Sequence, residues 1–163
     1  MANKDAAFGL RPIGKVGQNR DNQGLSEYSI AASASAIYQN DPVQALATGT
    51  IGVASTSTAV LLGSLNGVFY TDSSTKKPTW ANHLEASNAA TDIVGFVSDD
   101  PYERFEVQSN GTNAITQASV FFNYNISYVA GDSANYLSKV ELDESTGVST
   151  TAQLRLIGFS NDP

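Results

Sequence analysis

Residues 120–129, VFFNYNISYV, decide the fold class of this chain. Phe122, Tyr124, Ile126 and Tyr128 fall on one side of an extended backbone and Phe121, Asn123, Asn125 and Ser127 on the other. A period of two does not make an amphipathic helix, and these aromatic and β-branched residues suit a pleated, half-buried surface. The stretch lies within a β-rich run over 115–129. Outward from it, the same signals recur at short intervals. Residues 27–35 (EYSIAASAS) begin with Tyr28 and Ile30 on one face, and Ile37-Tyr38 leads to a turn at Asn40-Asp41-Pro42. Extended structure restarts after the proline at 43–46. Residues 50–54, 60–65 and 68–71 follow, and Asn66-Gly67 between the last two predicts a two-residue hairpin, because both residues tolerate positive φ.

Beyond that point 72–78 (DSSTKKP) reads as a loop, Trp80 as an apolar anchor, and 85–90 as at most one helical turn. Residues 93–98 (IVGFVS) read as a buried strand ending at Asp99-Asp100-Pro101. Residues 104–108 alternate, with Phe105 and Val107 inward, and stop at Asn110-Gly111. Strands at 137–142 and 153–159, joined through a turn at Ser145-Thr146-Gly147, complete the set. About nine to eleven short strands with turn signals every 8–12 residues predict an all-β chain, an antiparallel β-sandwich or barrel that is jelly-roll-like or similar.

The first 24 residues, MANKDAAFGLRPIGKVGQNRDNQG, stand apart. Their apolar residues Phe8, Leu10, Ile13 and Val16 follow neither period, and four glycines and Pro12 interrupt them. Lys4, Arg11, Lys15 and Arg20 are four of the nine basic residues of the chain. This segment therefore carries about +2 and the rest about −9 of a net charge of −7. The reading is an extended N-terminal arm over 1–24, with no core of its own, attached to a single β domain over 25–163. Such an arm is either a tolerated chain end or a segment that orders on a neighbour through Phe8 and Leu10.

Length allows one domain with a real core and not two comfortable ones. With no cysteine, neither disulfides, zinc–thiolate sites nor a cysteine nucleophile are available. The acidic body opposes a nucleic-acid role, since phosphate neutralisation needs clustered Lys and Arg, and only Lys76 and Lys77 are adjacent there. No apolar run approaches the roughly 20 residues of a membrane-spanning helix. Charged residues are 15% of the chain against the usual quarter, their place taken by 19 Ser, 13 Thr, 13 Asn and 20 Ala. Small polar side chains lose little rotamer entropy on ordering, a composition that leans towards an assembly component.

Catalytic patterns are sparse. His83, the single histidine, lies in the loop-like WANHLEA, and there is no nucleophile-elbow sequence. Asp99, Asp100, Glu103 and Glu106 offer oxygens of the kind calcium takes, without the alternating ligands and glycine of a dedicated loop. They read as a turn followed by a solvated strand face. Asn110-Gly111-Thr112 and Asn125-Ile126-Ser127 match the glycosylation tripeptide, a pattern common by chance. The expectation is a protein that is not an enzyme and uses no metal or other cofactor. Residues 94–101 (VGFVSDDP) and 157–163 (IGFSNDP) echo each other as strand exits; a further strand follows the first, and the expectation is that the native chain extends past Pro163.

The segments ANKDAAFGLRPIGKVG, EYSIAASASAIYQNDPV, LNGVFYTDSSTKKPTW and DDPYERFEVQSNG together resemble the capsid decoration, or cement, proteins of tailed bacteriophages, particularly marine phages and cyanophages. The likeness runs through most of residues 2–113, weakens after Ile115, and rests on overall wording, since none of these segments is a catalytic motif. It implies a viral structural protein on the outer surface of the capsid head. Its partners would be the major capsid protein and other copies of itself, as trimer or dimer, with neither nucleic acid nor membrane bound directly. Such proteins bind the expanded shell and stabilise it against internal DNA pressure. Applied to this chain, the expected capsid-binding residues are Phe8, Leu10, Arg11, Ile13 and Lys15. The alternative is a carbohydrate-binding or host-attachment module of a virion, with Trp80, Tyr70 and Tyr102 as its platform.

Overall fold

A computed structural model describes residues 5–17, 24–111 and 115–160. Among them the chain is all-β and sandwich-like, and a 3₁₀ turn at Gln117–Ser119 is the one helical element. The strands are β1 (Arg11–Lys15), β2 (Ser26–Ser29), β3 (Pro42–Ala45), β4 (Ile51–Val53), β5 (Gly63–Thr71), β6 (Pro78–Ala81), β7 (Val94–Ser98), β8 (Glu103–Glu106), β9 (Asn123–Ser127), β10 (Glu141–Val148) and β11 (Leu154–Arg155). Every strand pairing is antiparallel. One sheet has six strands in the order β2-β7-β5-β3-β4, with β6 also on β5; a second has the order β10-β9-β11; the third is the β1-β8 ribbon.

The deciding stretch behaves as read over its middle. In β9, Tyr124 and Ile126 are buried while Asn123, Asn125 and Ser127 are half-buried. The strand is shorter than 120–129, because Phe121 takes a positive φ of 76° directly after the 3₁₀ turn. Leu142 stands opposite Ile126 in the neighbouring strand, and both are buried, as are Tyr124 and Val140. The larger core lies on one face of the six-stranded sheet and contains Ile30, Ile37, Val43, Leu65, Val68, Leu84 and Val97. Gly95 of β7 admits Ile30 there: a Cβ would stand 2.9 Å from the Ile30 Cδ1.

Asn66-Gly67 is not a hairpin. β5 passes straight through it as one strand, with a bulge that shifts the register from Leu65 opposite Val97 to Gly67 opposite Phe96 and leaves Asn66 exposed. Ser64 is already clamped between Pro42 of β3 and Ser98 of β7, and Leu65 pairs with Val97, so the chain does not reverse at the next two residues. The hairpin lies further on, between β5 and β6. There the Asp72 carboxylate accepts the amides of Ser74 at 2.9 Å and Thr75 at 2.7 Å, and Lys76 takes φ 59°. The turn expected at Ser145-Thr146-Gly147 is also absorbed into a strand, β10, as an irregularity between Asp143 and Val148. Gly147 is needed because a Cβ would stand 2.7 Å from the Tyr124 ring.

Candidate functional site

Residues 5–17 were expected to belong to an extended arm with no core of its own, and the structure lays them against the β body of the same chain. Gly9 adopts φ 76° where a Cβ would stand 2.4 Å from the Asn40 carbonyl oxygen and 2.5 Å from the Ser138 Cβ. That close approach seats Leu10, which is 1% exposed. The Leu10 amide donates to the Asn40 carbonyl at 2.9 Å, and its carbonyl accepts the Ser64 hydroxyl at 2.7 Å. The Asn40 side-chain amide donates to the Phe8 carbonyl at 3.1 Å. β1 then pairs with β8, where the opposite charges seen in the sequence meet within one chain. Arg11 pairs with Glu106, and Lys15 with Asp100 at 2.9 Å. The Arg11 guanidinium also lies over the Phe8 ring, 5.1 Å from its centroid.

Of the five expected contact residues, Leu10 is therefore core and not surface, and Phe8, Arg11 and Lys15 are engaged by their own chain. Ile13, 53% exposed, presents its side chain outward. Lys4 and Arg20 lie outside the described residues.

The carboxylates of the following turn stay separate. Asp99 accepts the Ser26 hydroxyl at 2.9 Å and the Tyr28 hydroxyl at 2.5 Å, and the latter bond raises the Tyr28 pKa. Asp100 receives Lys15 and the Tyr102 amide. The Ser160 hydroxyl and then Arg11 hold Glu106 below the usual carboxylate range. Asp99, Asp100 and Glu106 are each engaged by a partner of their own, and no group of three metal-ligating side chains forms among the described residues. His83 stacks on Tyr136 at 3.7 Å and 11°, its Nδ1 sits 2.9 Å from the Asn82 Oδ1, and burial pushes its pKa down. The stack ties the segments on either side of residues 37–39, which bridge Leu84 through Ile37 and Leu137 through Gln39.

The exposed feature that sequence reading missed is the outer face of the six-stranded sheet. Strand register sets Trp80 beside Phe69 and Phe69 beside Val94, with Gly67 beside Phe96 in the next row. The Trp80 ring crosses the gap left by Gly67, where a Cβ would be 3.3 Å from it, and meets Phe96 with centroids 4.5 Å apart. A glycine covered by a cross-strand aromatic is a stable local device. It leaves Trp80 58% and Phe69 38% exposed. Tyr70 points the other way, against the core, and Tyr102 stands on the β7–β8 turn. The trio Trp80, Tyr70 and Tyr102 is thus not one platform; Trp80, Phe96 and Phe69 are. The signal was legible in GVFY and VGFV, which are apolar at successive positions, as a strand with two apolar faces must be. Comparison with protein-family models, curated proteins and solved structures finds no match to this chain.

Proposed function

We propose that this chain is a structural, non-enzymatic protein of a tailed-phage virion that decorates the outer surface of the expanded capsid head, with the major capsid protein as its partner. The resemblance of residues 2–113 supports this reading. The observation that carries it is the aromatic outer face of the large sheet, because a rigid β scaffold that leaves Trp80 and Phe69 open to water has apolar surface to cover. The contact surface assigned here is that face together with Ile13 of the β1–β8 ribbon. Leu10, being buried, is not part of it.

The mechanism is differential affinity. A protein that binds the expanded shell and not its precursor stabilises the expanded state by RT ln(1 + [L]/Kd) per site. Contacts among neighbouring copies, as dimer or trimer, add avidity to a modest single-site affinity. Sedimentation with undecorated expanded heads and with precursor shells tests this. The expected outcome is co-sedimentation with expanded heads alone, reduced about tenfold or more in affinity, or roughly 1.4 kcal/mol, by Trp80→Ser with Phe69→Ser. Failure to co-sediment overturns the reading. Binding of immobilised glycans lost in the same variant would favour a virion host-attachment module, since Trp80 and Phe96 also offer faces on which a sugar ring can stack.

A further inference from the structure

A second apolar surface lies away from the aromatic face. A cleft of about 660 Å³ separates the β1–β8 ribbon from the β9–β11 side of the small sheet. Leu10, Phe105 and Val107 line one wall, and Leu154, Leu156 and Ile157 the other. Both walls include strands with one open edge. β8 pairs only with β1 and β11 only with β9 among the described residues, and residues 103–105 and 153–158 line the cleft together. The charges there run against those of the molecule. Arg104 and Arg155 line it, both exposed, and neither forms an ion pair among the described residues; Glu103 is the one acid of the lining. The Arg155 guanidinium instead lies 5.4 Å from the centroid of the Phe121 ring, another residue of the lining that is 63% exposed. In a chain of net charge −7, a cleft with two arginines and one glutamate selects an anionic occupant.

We infer that this cleft takes an extended segment of a partner protein, with alternating apolar side chains and at least one carboxylate, added as a strand along the open edge of β8 or β11. Open edges supply main-chain hydrogen bonds, the apolar walls receive every second side chain, and the arginines pair with the carboxylate. The inference stands apart from the coat-protein reading, because it uses neither Trp80 nor Phe69.

Selection of a displayed library of random ten-residue peptides against the full chain tests it. Enriched peptides should alternate apolar residues with Asp or Glu and shift the amide resonances of residues 103–107 and 154–158. They should bind the Arg104→Glu, Arg155→Glu double variant at least tenfold more weakly and lose binding when alternate backbone amides are methylated. Both arginines are exposed, so the double variant keeps its fold, which its thermal transition checks. No enrichment, binding indifferent to the charge reversal, or shifts confined to the aromatic face would each overturn the inference. So would decanoate filling the cleft while no peptide does, which would reassign it to small amphipathic carboxylates.

Discussion

Asp41 shows how much one residue can shape the behaviour of this chain. It is fully buried in the turn Asn40-Asp41-Pro42, and one carboxylate oxygen accepts the Tyr38 amide at 2.8 Å. The other oxygen has no hydrogen bond of normal geometry among the described residues. Burial pushes its pKa up, against the Ser138 hydroxyl and the Tyr38 amide, which favour the charged form. The folded state therefore holds this proton more tightly than the unfolded chain. Stability falls as pH rises from the ordinary carboxylate range towards the raised folded value, and is regained on acidification. Asp41→Asn keeps an acceptor for Tyr38 and removes the charge. Chemical unfolding at pH 8 should show it more stable by about 1 kcal/mol, with that part of the pH dependence gone. Gly9 sets the opposite limit. Gly9→Ala combines a positive φ with a 2.4 Å approach to the Asn40 carbonyl, and should cost about 2 kcal/mol or more in the same measurement.

Among the elements, β1 is the one whose role changes most between sequence and structure. Its first neighbour, Leu10, is a core residue, so Leu10→Ala should destabilise by about 2–5 kcal/mol, whereas Arg11→Ala, breaking a half-exposed ion pair, should cost about 0–1 kcal/mol. Deleting residues 2–17 should accordingly lower the unfolding midpoint of the free chain by several degrees, since it uncovers Asn40, Ser64 and one wall of the cleft. The Leu10 and Val16 amides, bonded to the Asn40 and Tyr102 carbonyls, should exchange slowly in the isolated protein, and fast exchange there would show that β1 does not dock on its own chain. What hid this from sequence reading was period: with Gly9, Pro12 and Gly14 breaking any pattern, the segment shows no face. Its cohesion comes instead from the burial of Leu10 beside Asn40 and Ser64 and from pairing with β8 about 90 residues away, to which the ion pairs with Glu106 and Asp100 add little.

At the scale of the molecule, stability is uneven by construction. β5 is flanked by β7 over residues 64–69 on one side and by β3 at its start and β6 at its end on the other, and it carries Leu65 and Val68 into the larger core. The three-stranded sheet has a two-residue edge strand, β11, and a small core around Tyr124 and Ile126. Hydrogen exchange should therefore place amides of β5 and β7 at the global unfolding free energy and those of β10 and β11 well below it. Equal protection in both sheets would contradict this hierarchy. The sheet with the smaller core also forms one wall of the cleft, so an occupant binding there should raise the protection of β11 more than that of β5.

The sequence by itself determined the all-β class, the common face of Tyr124 and Ile126 and the burial of the strand around Val97, because side-chain alternation and the burial of apolar surface are local properties written in the order of residues. It also gave the sign contrast between the first 24 residues and the rest. Tertiary structure alone decided where the chain reverses and what the basic residues meet. Asn66-Gly67 has the chemistry of a turn, yet paired neighbours on both sides of Ser64 hold it straight, and Gly67 serves instead as a seat for Trp80. Leu10 has no periodic companions, yet Asn40 and Ser64 enclose it. In both cases the decisive partner lies on a distant strand, and which strands become neighbours is set by the packing of the whole chain, which no local pattern encodes.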